Sequence, residues 1–212
     1  MQDGPEILSE HFDVSRETSD RLRTYVDLVR KWQNVQNLVA PSTLPDIWRR
    51  HVLDSAQILR FAPHARRWLD FGSGAGFPGL VVSILLADRP GFHAHLVESN
   101  GRKAAFLRAV VREIGLPATI HDQRIERFAW TDPFPVDVIS ARALAALPVL
   151  CDYAEPFMSE KTVAIFHKGR DTDSELNSTL SDWILDLVIE DSVVDPQSRL
   201  LVIRALQRSK TG

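Results

Sequence analysis

The sequence has little that would tie it to an oxidising compartment or to a membrane. It has one cysteine, Cys151, among 212 residues, which excludes a disulfide framework and a metal site built from cysteines. No apolar run approaches the roughly 20 residues that cross a bilayer. The N-terminal segment MQDGPEILSEHFDVS is acidic and has neither the basic start nor the apolar stretch of a signal peptide. We therefore expect a cytoplasmic protein without a membrane segment or a metal.

The positive charge is concentrated in one part of the chain. The net charge of −3 excludes a globally basic nucleic-acid binder. Residues 1–15 carry four acids and no Lys or Arg, whereas residues 16–67 carry ten Lys or Arg against five acids, a local excess of +5. This distribution is compatible with a docking surface for a polyanion. A solvated helix face is the alternative.

The order of predicted elements indicates an α/β protein. Apolar residues at helical spacing predict helices within residues 16–62, with Ser42 or Thr43 as a helix cap. From residue 67 strands and helices alternate, and residues 101–114 form the clearest helix, ended by Gly115. Strands are predicted at 68–71, 94–97, 119–121, 136–140 and 163–166, followed by a hairpin over 186–194 and 199–206.

This pattern predicts a mostly parallel, seven-stranded sheet with one antiparallel strand. We divide the chain into a helical N-terminal extension, residues 1–66, and a sheet-containing domain, residues 67–212.

The stretch RWLDFGSGAGFPGLVVSILL places four glycines, at positions 72, 74, 76 and 79, between a strand and a helix. Glycine permits positive φ in a tight turn and removes the Cβ that would keep a ligand from the backbone. Two interpretations of the ligand that this stretch binds are open. G-x-G-x-x-G from Gly74, with Glu98 as a ribose-binding acid, indicates a dinucleotide site. D-x-G-x-G-x-G from Asp70 to Gly76 is typical of class I S-adenosylmethionine-dependent methyltransferases, which have a Rossmann-like fold.

The second interpretation fits the strand end better. Asp70 stands at the tip of the strand, where a carboxylate can reach a ligand ammonium group directly or through water. S-adenosylmethionine has such a group and a dinucleotide does not. Glu98 ends the second strand, where a carboxylate can bind both hydroxyls of a ribose.

The residues after the predicted fourth strand limit the chemical class of the methyl acceptor. They read ISARALAAL and lack the [DN]-P-P-[YFW] motif of exocyclic-amine methylation. Enzymes that methylate C5 of pyrimidines use a cysteine nucleophile in a proline-cysteine loop, and Cys151 does not lie in such a loop. An acceptor with a free lone pair, such as a purine ring nitrogen, needs neither device. Arg142 and Lys168 follow predicted strands at the cleft side, and Arg102, Lys103, Arg108 and Arg112 could contact phosphates or form an outer helix face.

Five motifs together resemble the RsmG (GidB) family of bacterial small-subunit ribosomal RNA methyltransferases, over about residues 20–206. They are KWQNVQNLVA, RRHVLDSAQI, LDFGSGAGFPGL, ISARALAAL and HKG. Gln33 departs from the pattern, because the family often has Asn there.

The resemblance implies transfer of a methyl group from S-adenosylmethionine to N7 of a guanosine in 16S rRNA, free or within an assembling small ribosomal subunit. Nothing in the sequence suggests an obligate dimer, so we expect a monomer. The residues that motif matching and the loop pattern assign to the cofactor are Asp70, Gly72, Gly74, Gly76, Phe77, Glu98, Ile125, Glu126 and Arg142. His51, Asp54 and Lys168 match recurring positions that we expect on the acceptor side, so that Arg142, Lys168 and His51 are the catalytic candidates.

Two other functions stay open at this point. One is a dinucleotide-dependent oxidoreductase, which the G-x-G-x-x-G spacing would suit. The other is a non-catalytic RNA-binding module, which the basic helical third would suit.

Overall fold

The computed structural model describes residues 3–209. Its centre is one seven-stranded sheet in the order β3-β2-β1-β4-β5-β7-β6. Neighbouring strands from β3 to β5 pair in parallel, whereas β7 runs antiparallel to both β5 and β6. The strands are β1 Arg67–Phe71, β2 His93–Val97, β3 Ala118–His121, β4 Val138–Arg142, β5 Val163–Lys168, β6 Trp183–Asp191 and β7 Arg199–Arg208. The predicted sheet, with one antiparallel strand, is confirmed.

Helices precede the sheet and connect its strands. They are α1 Arg16–Gln33, α2 Asp54–Ala56, α3 Gly79–Leu85, α4 Gly101–Ile114, α5 Leu147–Ala154 and α6 Thr172–Thr179. α2 is part of a continuous helical segment, residues 41–61, which contains a 3-10 helix Pro41–Asp46, a π-helix Trp48–Leu53 and a 3-10 helix Gln57–Phe61. Among residues 3–209, no helix is both long and apolar enough to span a bilayer.

Local signals explain the helix ends, with one exception. Ser15 caps α1 by accepting a hydrogen bond from the Thr18 N–H at 3.1 Å, and Gly115 ends α4 at φ 73°. The prediction of a cap at Ser42 or Thr43 is wrong, because the segment already begins at Pro41. The Thr43 hydroxyl instead donates to the Ala40 carbonyl at 2.7 Å.

The fourth strand lies two residues further along the chain than predicted, at Val138–Arg142. The Asp137 carboxylate accepts hydrogen bonds from the Arg66 and Arg67 N–H groups at 2.7 and 2.9 Å. It thereby ties the start of this strand to the start of β1. Arg142 is consequently the last residue of β4 and reaches the edge where parallel strands end.

The sheet separates two hydrophobic cores. One joins side chains of α1 and of residues 41–61 to α3, α4 and the strands, and the other lies beneath α5 and the terminal hairpin. Tyr25 of α1 is fully buried and its hydroxyl donates to the Ala75 carbonyl at 2.7 Å. The N-terminal helices therefore pack directly on the sheet and on the loop that follows β1. The division at residues 66 and 67 stays a prediction.

Three histidines cluster at the β2–β3 edge of the sheet. The His95 and His121 rings stack at 5.3 Å and share a hydrogen bond of 3.0 Å, and His93 lies 5.0 Å from His95. Trp130 covers His95 at a centroid distance of 4.5 Å. Burial and the neighbouring imidazoles lower the pKa of His95 to about 4. No group of His, Cys, Asp and Glu within residues 3–209 is arranged to hold a metal ion.

Acid should therefore destabilise the protein through this cluster. The pKa of His95 is lower in the native protein than the roughly 6.5 expected in the unfolded chain, so the unfolded chain takes up the extra proton. The His95 contribution to stability is present above about pH 6.5 and is lost as the pH falls towards about 4. The free energy of unfolding, measured in urea across this pH range, should fall less steeply with decreasing pH for His95→Gln than for the wild type. The exposed His64→Gln variant should retain the wild-type slope, and equal slopes for all three proteins would contradict the assignment.

Candidate active site

The glycine loop leaves β1 and enters α3 through three left-handed residues. Gly72, Gly74 and Gly76 have φ values of 60°, 57° and 97°, a region that favours glycine. The Leu144 side chain occupies the place that a Cβ on Gly72 would need. A Cβ on Gly74 would have only a carbonyl oxygen nearby, at 3.7 Å, so its bare backbone faces open space. This part of the loop lets a ligand approach the main chain closely.

A cavity of about 350 Å³ lies at the carboxyl ends of the strands, against this loop. Its lining includes Gly72, Gly74, Glu98, Lys103, Ile125, Glu126 and Tyr153. Such a position, outside the strand ends of a parallel sheet, is where α/β proteins bind ligands.

Glu98 both supports the loop and faces the cavity. Its Oε2 accepts a hydrogen bond from the Gly74 N–H and its Oε1 from the Asn100 N–H, each at 2.8 Å. A carboxylate has about four acceptor sites, so two remain for donors on a ligand. Glu98 therefore lines the cavity with acceptor sites free for a ligand, and its role in ligand binding stays a prediction.

Asp70 lies beneath the loop and lines neither this cavity nor the adjoining one. It is fully buried, and its Oδ1 accepts a hydrogen bond from the Ser140 hydroxyl at 2.6 Å. Burial raises the pKa of this carboxyl to about 6. Its Oδ2 lies directly under Gly79, where a Cβ would come within 2.6 Å of it. In this structure the side chain supports the loop from below.

The predicted pair Ile125 and Glu126 lies in a 3-10 turn, Ile125–Arg127, beside the first cavity. The Tyr153 hydroxyl from α5 donates to Glu126 Oε1 at 2.9 Å. This bond contributes, with a backbone hydrogen bond at Glu126, to a lowered pKa of the Glu126 carboxyl. Tyr153 has no recognisable sequence signal, since it approaches the site only because α5 packs against the sheet.

A second cavity of about 250 Å³ adjoins the first. Both are lined by Gly72, Gly74, Lys103 and Ala143. The second is also lined by Leu38, His51, Phe77 and Arg142. The two spaces therefore meet at the glycine loop, and the predicted residues Phe77 and Arg142 belong to the second space.

Arg142 connects the end of β4 to the N-terminal helical segment. Its Nε lies 2.9 Å from Asp54 Oδ2, its Nη1 donates to His51 Nδ1 at 2.9 Å, and its Nη2 donates to the Arg50 carbonyl at 2.7 Å. All three nitrogens are thus bound to groups of the protein. Its guanidinium carbon also lies 5.9 Å from the centre of the Phe77 ring.

The contact with Arg142 determines the protonation of His51. Arginine can only donate, so His51 Nδ1 must accept, and the ring proton lies on Nε2, 2.8 Å from the Thr43 hydroxyl oxygen. Burial and the charge of Arg142 lower the pKa of His51 to about 3. The ring packs on Phe77 at 4.9 Å. His51 is therefore a neutral, oriented side chain that lines the second cavity.

Asp54 has further hydrogen bonds with two residues to which the sequence analysis assigned no role. Gln57 Nε2 donates to Asp54 Oδ1 at 2.7 Å, and the buried His167 Nε2 lies 2.8 Å from the Asp54 carbonyl oxygen. The His167 contact joins the R-H-V-L-D-S motif to β5, as Arg142 joins it to β4, and no local pattern reveals these pairings.

Lys168 is the catalytic candidate that the structure does not bring into the site. Its Nζ lies 2.5 Å from Glu175 Oε2 and donates to the Ala145 carbonyl at 2.9 Å. It lines neither cavity. Its contacts hold the loop after β4 against α6.

Gln33, the departure from the family pattern, still orders its loop. Its Oε1 accepts hydrogen bonds from the Leu38 and Val39 N–H groups at 2.9 and 3.0 Å, and its Nε2 donates to the Val39 carbonyl at 3.0 Å. The side chain therefore shapes the segment that contributes Leu38 to the second cavity.

Gly79→Ala should destabilise the protein, because the new Cβ would meet the buried Asp70 carboxylate and lie 2.9 Å from Leu96 Cγ. Overpacking of this kind costs about 1–3 kcal/mol. Urea unfolding measures this difference. Gly101→Ala is the matched control, because its Cβ would find its nearest atom, Asp122 Oδ2, at 3.7 Å. Equal stability of the two variants would show that Gly79 is not sterically required.

Comparison with known proteins places the chain in a family. The model of the GidB family, described as rRNA small subunit methyltransferase G, matches residues 18–206. A protein of that name from Parvibaculum lavamentivorans is 49% identical over 209 residues, covering 96% of this chain and 92% of the relative. Another from Brucella canis is 48% identical over 195 residues, covering 92% and 91%.

Solved structures agree with the fold. The O-methyltransferase TomG from Streptomyces achromogenes, in complex with SAM, has a TM-score of 0.59 at 12% identity, covering 93% of each chain. An O-methyltransferase from Bacillus cereus in complex with SAH has a TM-score of 0.57 at 12% identity, covering 94% of this chain and 96% of that one. These likenesses confirm the predicted methyltransferase class of fold. Since the family model covers most of the sequence and named relatives align along nearly all of it, the chain belongs to the GidB family, the rRNA small subunit methyltransferases G.

Proposed function

We propose that the protein transfers a methyl group from S-adenosylmethionine to N7 of a guanosine in 16S rRNA. The observation that carries this proposal is the pair of cavities that meet at the glycine loop. The family membership supports rRNA of the small subunit as the acceptor. The junction of the two spaces suits a reaction between two bound molecules.

The first cavity suits the cofactor. Gly74 allows close approach to the main chain, and the free acceptor sites of Glu98 suit the two hydroxyls of a ribose. Ile125 offers an apolar surface for an adenine ring. When bound, the cofactor supplies a methyl group that is already activated on a sulfonium. The task left to the protein is to orient the acceptor and to exclude water.

The second cavity suits a base that reacts through a lone pair. N7 of guanine is an unprotonated ring nitrogen, so its methylation needs no general base. His51 agrees with this, because its Nδ1 is occupied by Arg142 and its pKa is about 3. Burial raises the pKa of the Cys151 thiol to about 12, which argues against a thiolate nucleophile. The His51 and Phe77 rings provide surfaces on which a purine can stack.

The basic N-terminal third supports docking of RNA. Arg49 and Arg50 are exposed on the helical segment that supplies His51 and Asp54. A phosphate backbone bound there would be held close to the second cavity.

We also propose that the protein acts as a monomer in the cytoplasm. Membership in the GidB family argues against the oxidoreductase, and the two cavities argue against a non-catalytic module.

The acceptor atom can be identified directly. Small-subunit RNA from cells that lack this protein should gain tritium from methyl-labelled S-adenosylmethionine, and nuclease digestion should release the label as 7-methylguanosine.

Glu98→Gln should weaken cofactor binding by about tenfold or more, because it removes a charged acceptor. The exposed Glu160→Gln is the control and should bind normally. Label on an exocyclic amine, on a ribose or on a protein would contradict the proposal, as would preferential binding of NAD.

The chemical step should not depend on a base that titrates near neutrality. Single-turnover rates at saturating cofactor and RNA should stay constant between about pH 7 and 8.5, because the pKa of His51 lies far below this range. His51→Gln should alter the rate while leaving this profile flat. A rate that rises with pH to a plateau with an apparent pKa near 7, and that loses this dependence in His51→Gln, would identify His51 as a base.

A further inference from the structure

Lys103 stands where the two cavities meet. It lies in the first turn of α4, beside the cap residue Asn100, and is half-buried. It lines both the first and the second cavity. Within residues 3–209, its ammonium group has no hydrogen bond or ion pair with another side chain or with the backbone. A half-buried cation without a partner, facing two cavities, is available to a ligand.

The other cationic side chain of the second cavity, Arg142, is largely engaged by the protein. Each of the three nitrogens of Arg142 contacts a protein acceptor, and the Nε2 proton of His51 points to Thr43. Arg142 therefore keeps at most two of its five N–H groups for a ligand, whereas all three donors of the Lys103 ammonium group are left to the substrate.

A donor at this place can distinguish guanine from adenine. Adenine and guanine both carry N7, so a site that only presents N7 to a methyl group cannot distinguish them. They differ at position 6, where guanine has an acceptor oxygen and adenine an amino group that donates. An ammonium group has three donors and no acceptor, so it binds O6 and rejects the adenine amino group.

We propose that Lys103 selects guanine by donating a hydrogen bond to O6 of the target base. The proposal rests on the proposed function, since it names the residue that reads the base whose N7 is methylated. A lysine ammonium can bind O6 alone, whereas the fixed planar fork of an arginine matches O6 and N7 together and would then occupy the reacting nitrogen.

The contact acts mainly on binding of the base. The purine becomes cationic as the methyl group arrives, which weakens O6 as an acceptor, so the bond is not strengthened in the transition state. Loss of Lys103 should therefore raise KM for the RNA more than it lowers kcat.

The test is a cycle of two changes, one in the protein and one in the RNA. Small subunits are reconstituted with RNA that carries either guanosine or 2-aminopurine at the mapped target, the latter lacking the oxygen at position 6. Removal of O6 should lower kcat/KM of the wild-type protein. This fold-loss should be about tenfold to a hundredfold larger than the fold-loss measured with Lys103→Met. Any intrinsic difference in N7 reactivity is the same for both proteins and cancels in this comparison.

Arg102→Met is the matched control, because it removes a neighbouring exposed cation that lines neither cavity. It should leave the wild-type ratio intact, and titration calorimetry should give wild-type affinity of Lys103→Met for S-adenosylmethionine. Additive effects of the two changes would identify a phosphate contact and overturn the proposal. A parallel loss of cofactor affinity would assign Lys103 to the cofactor and overturn it too. Absence of 7-methylguanosine with the wild-type protein would instead refute the proposed function.

Discussion

The ion pair between Asp54 and Arg142 holds the helical segment 41–61 against the carboxyl edge of the sheet. Its atoms lie 2.9 Å apart, and both side chains are largely buried. Removing one member of a buried pair costs about 3–5 kcal/mol because the other charge stays buried without a partner, so each of the two side chains depends on the other. With Arg142 held by Asp54, the remaining guanidinium nitrogens bind His51 and the Arg50 carbonyl. The ion pair thus lies at the centre of the contacts that form the wall of the second cavity.

The glycine loop is stabilised from three directions. On the cavity side, Glu98 accepts a hydrogen bond from the Gly74 N–H. From α1, the Tyr25 hydroxyl donates to the Ala75 carbonyl. Below the loop, Asp70 lies under Gly79 and accepts a hydrogen bond from Ser140. Flexible glycines lose much conformational entropy when they are ordered, and these contacts oppose that cost. A loop held in this way presents an ordered main chain on one side and leaves its outer surface bare.

The neutral state of His51 links this architecture to the chemistry. An imidazole that accepts from arginine cannot take up a proton without losing that bond. The site therefore offers surfaces and fixed donors instead of a group that transfers protons. This is consistent with an acceptor atom that has a free lone pair, for which orientation contributes most of the rate.

Some properties of this protein follow from the sequence by itself. The element order, the terminal hairpin, the glycine loop and the place of Glu98 could all be predicted, because each depends on spacing between near neighbours in the chain. Other properties were decided only by the tertiary structure. His51 and Arg142 are 91 residues apart in sequence, and Asp70 and Ser140 are 70 apart. Their pairing, the withdrawal of Lys168 onto Glu175 and the availability of Lys103 depend on which elements pack together, and no local pattern contains that information.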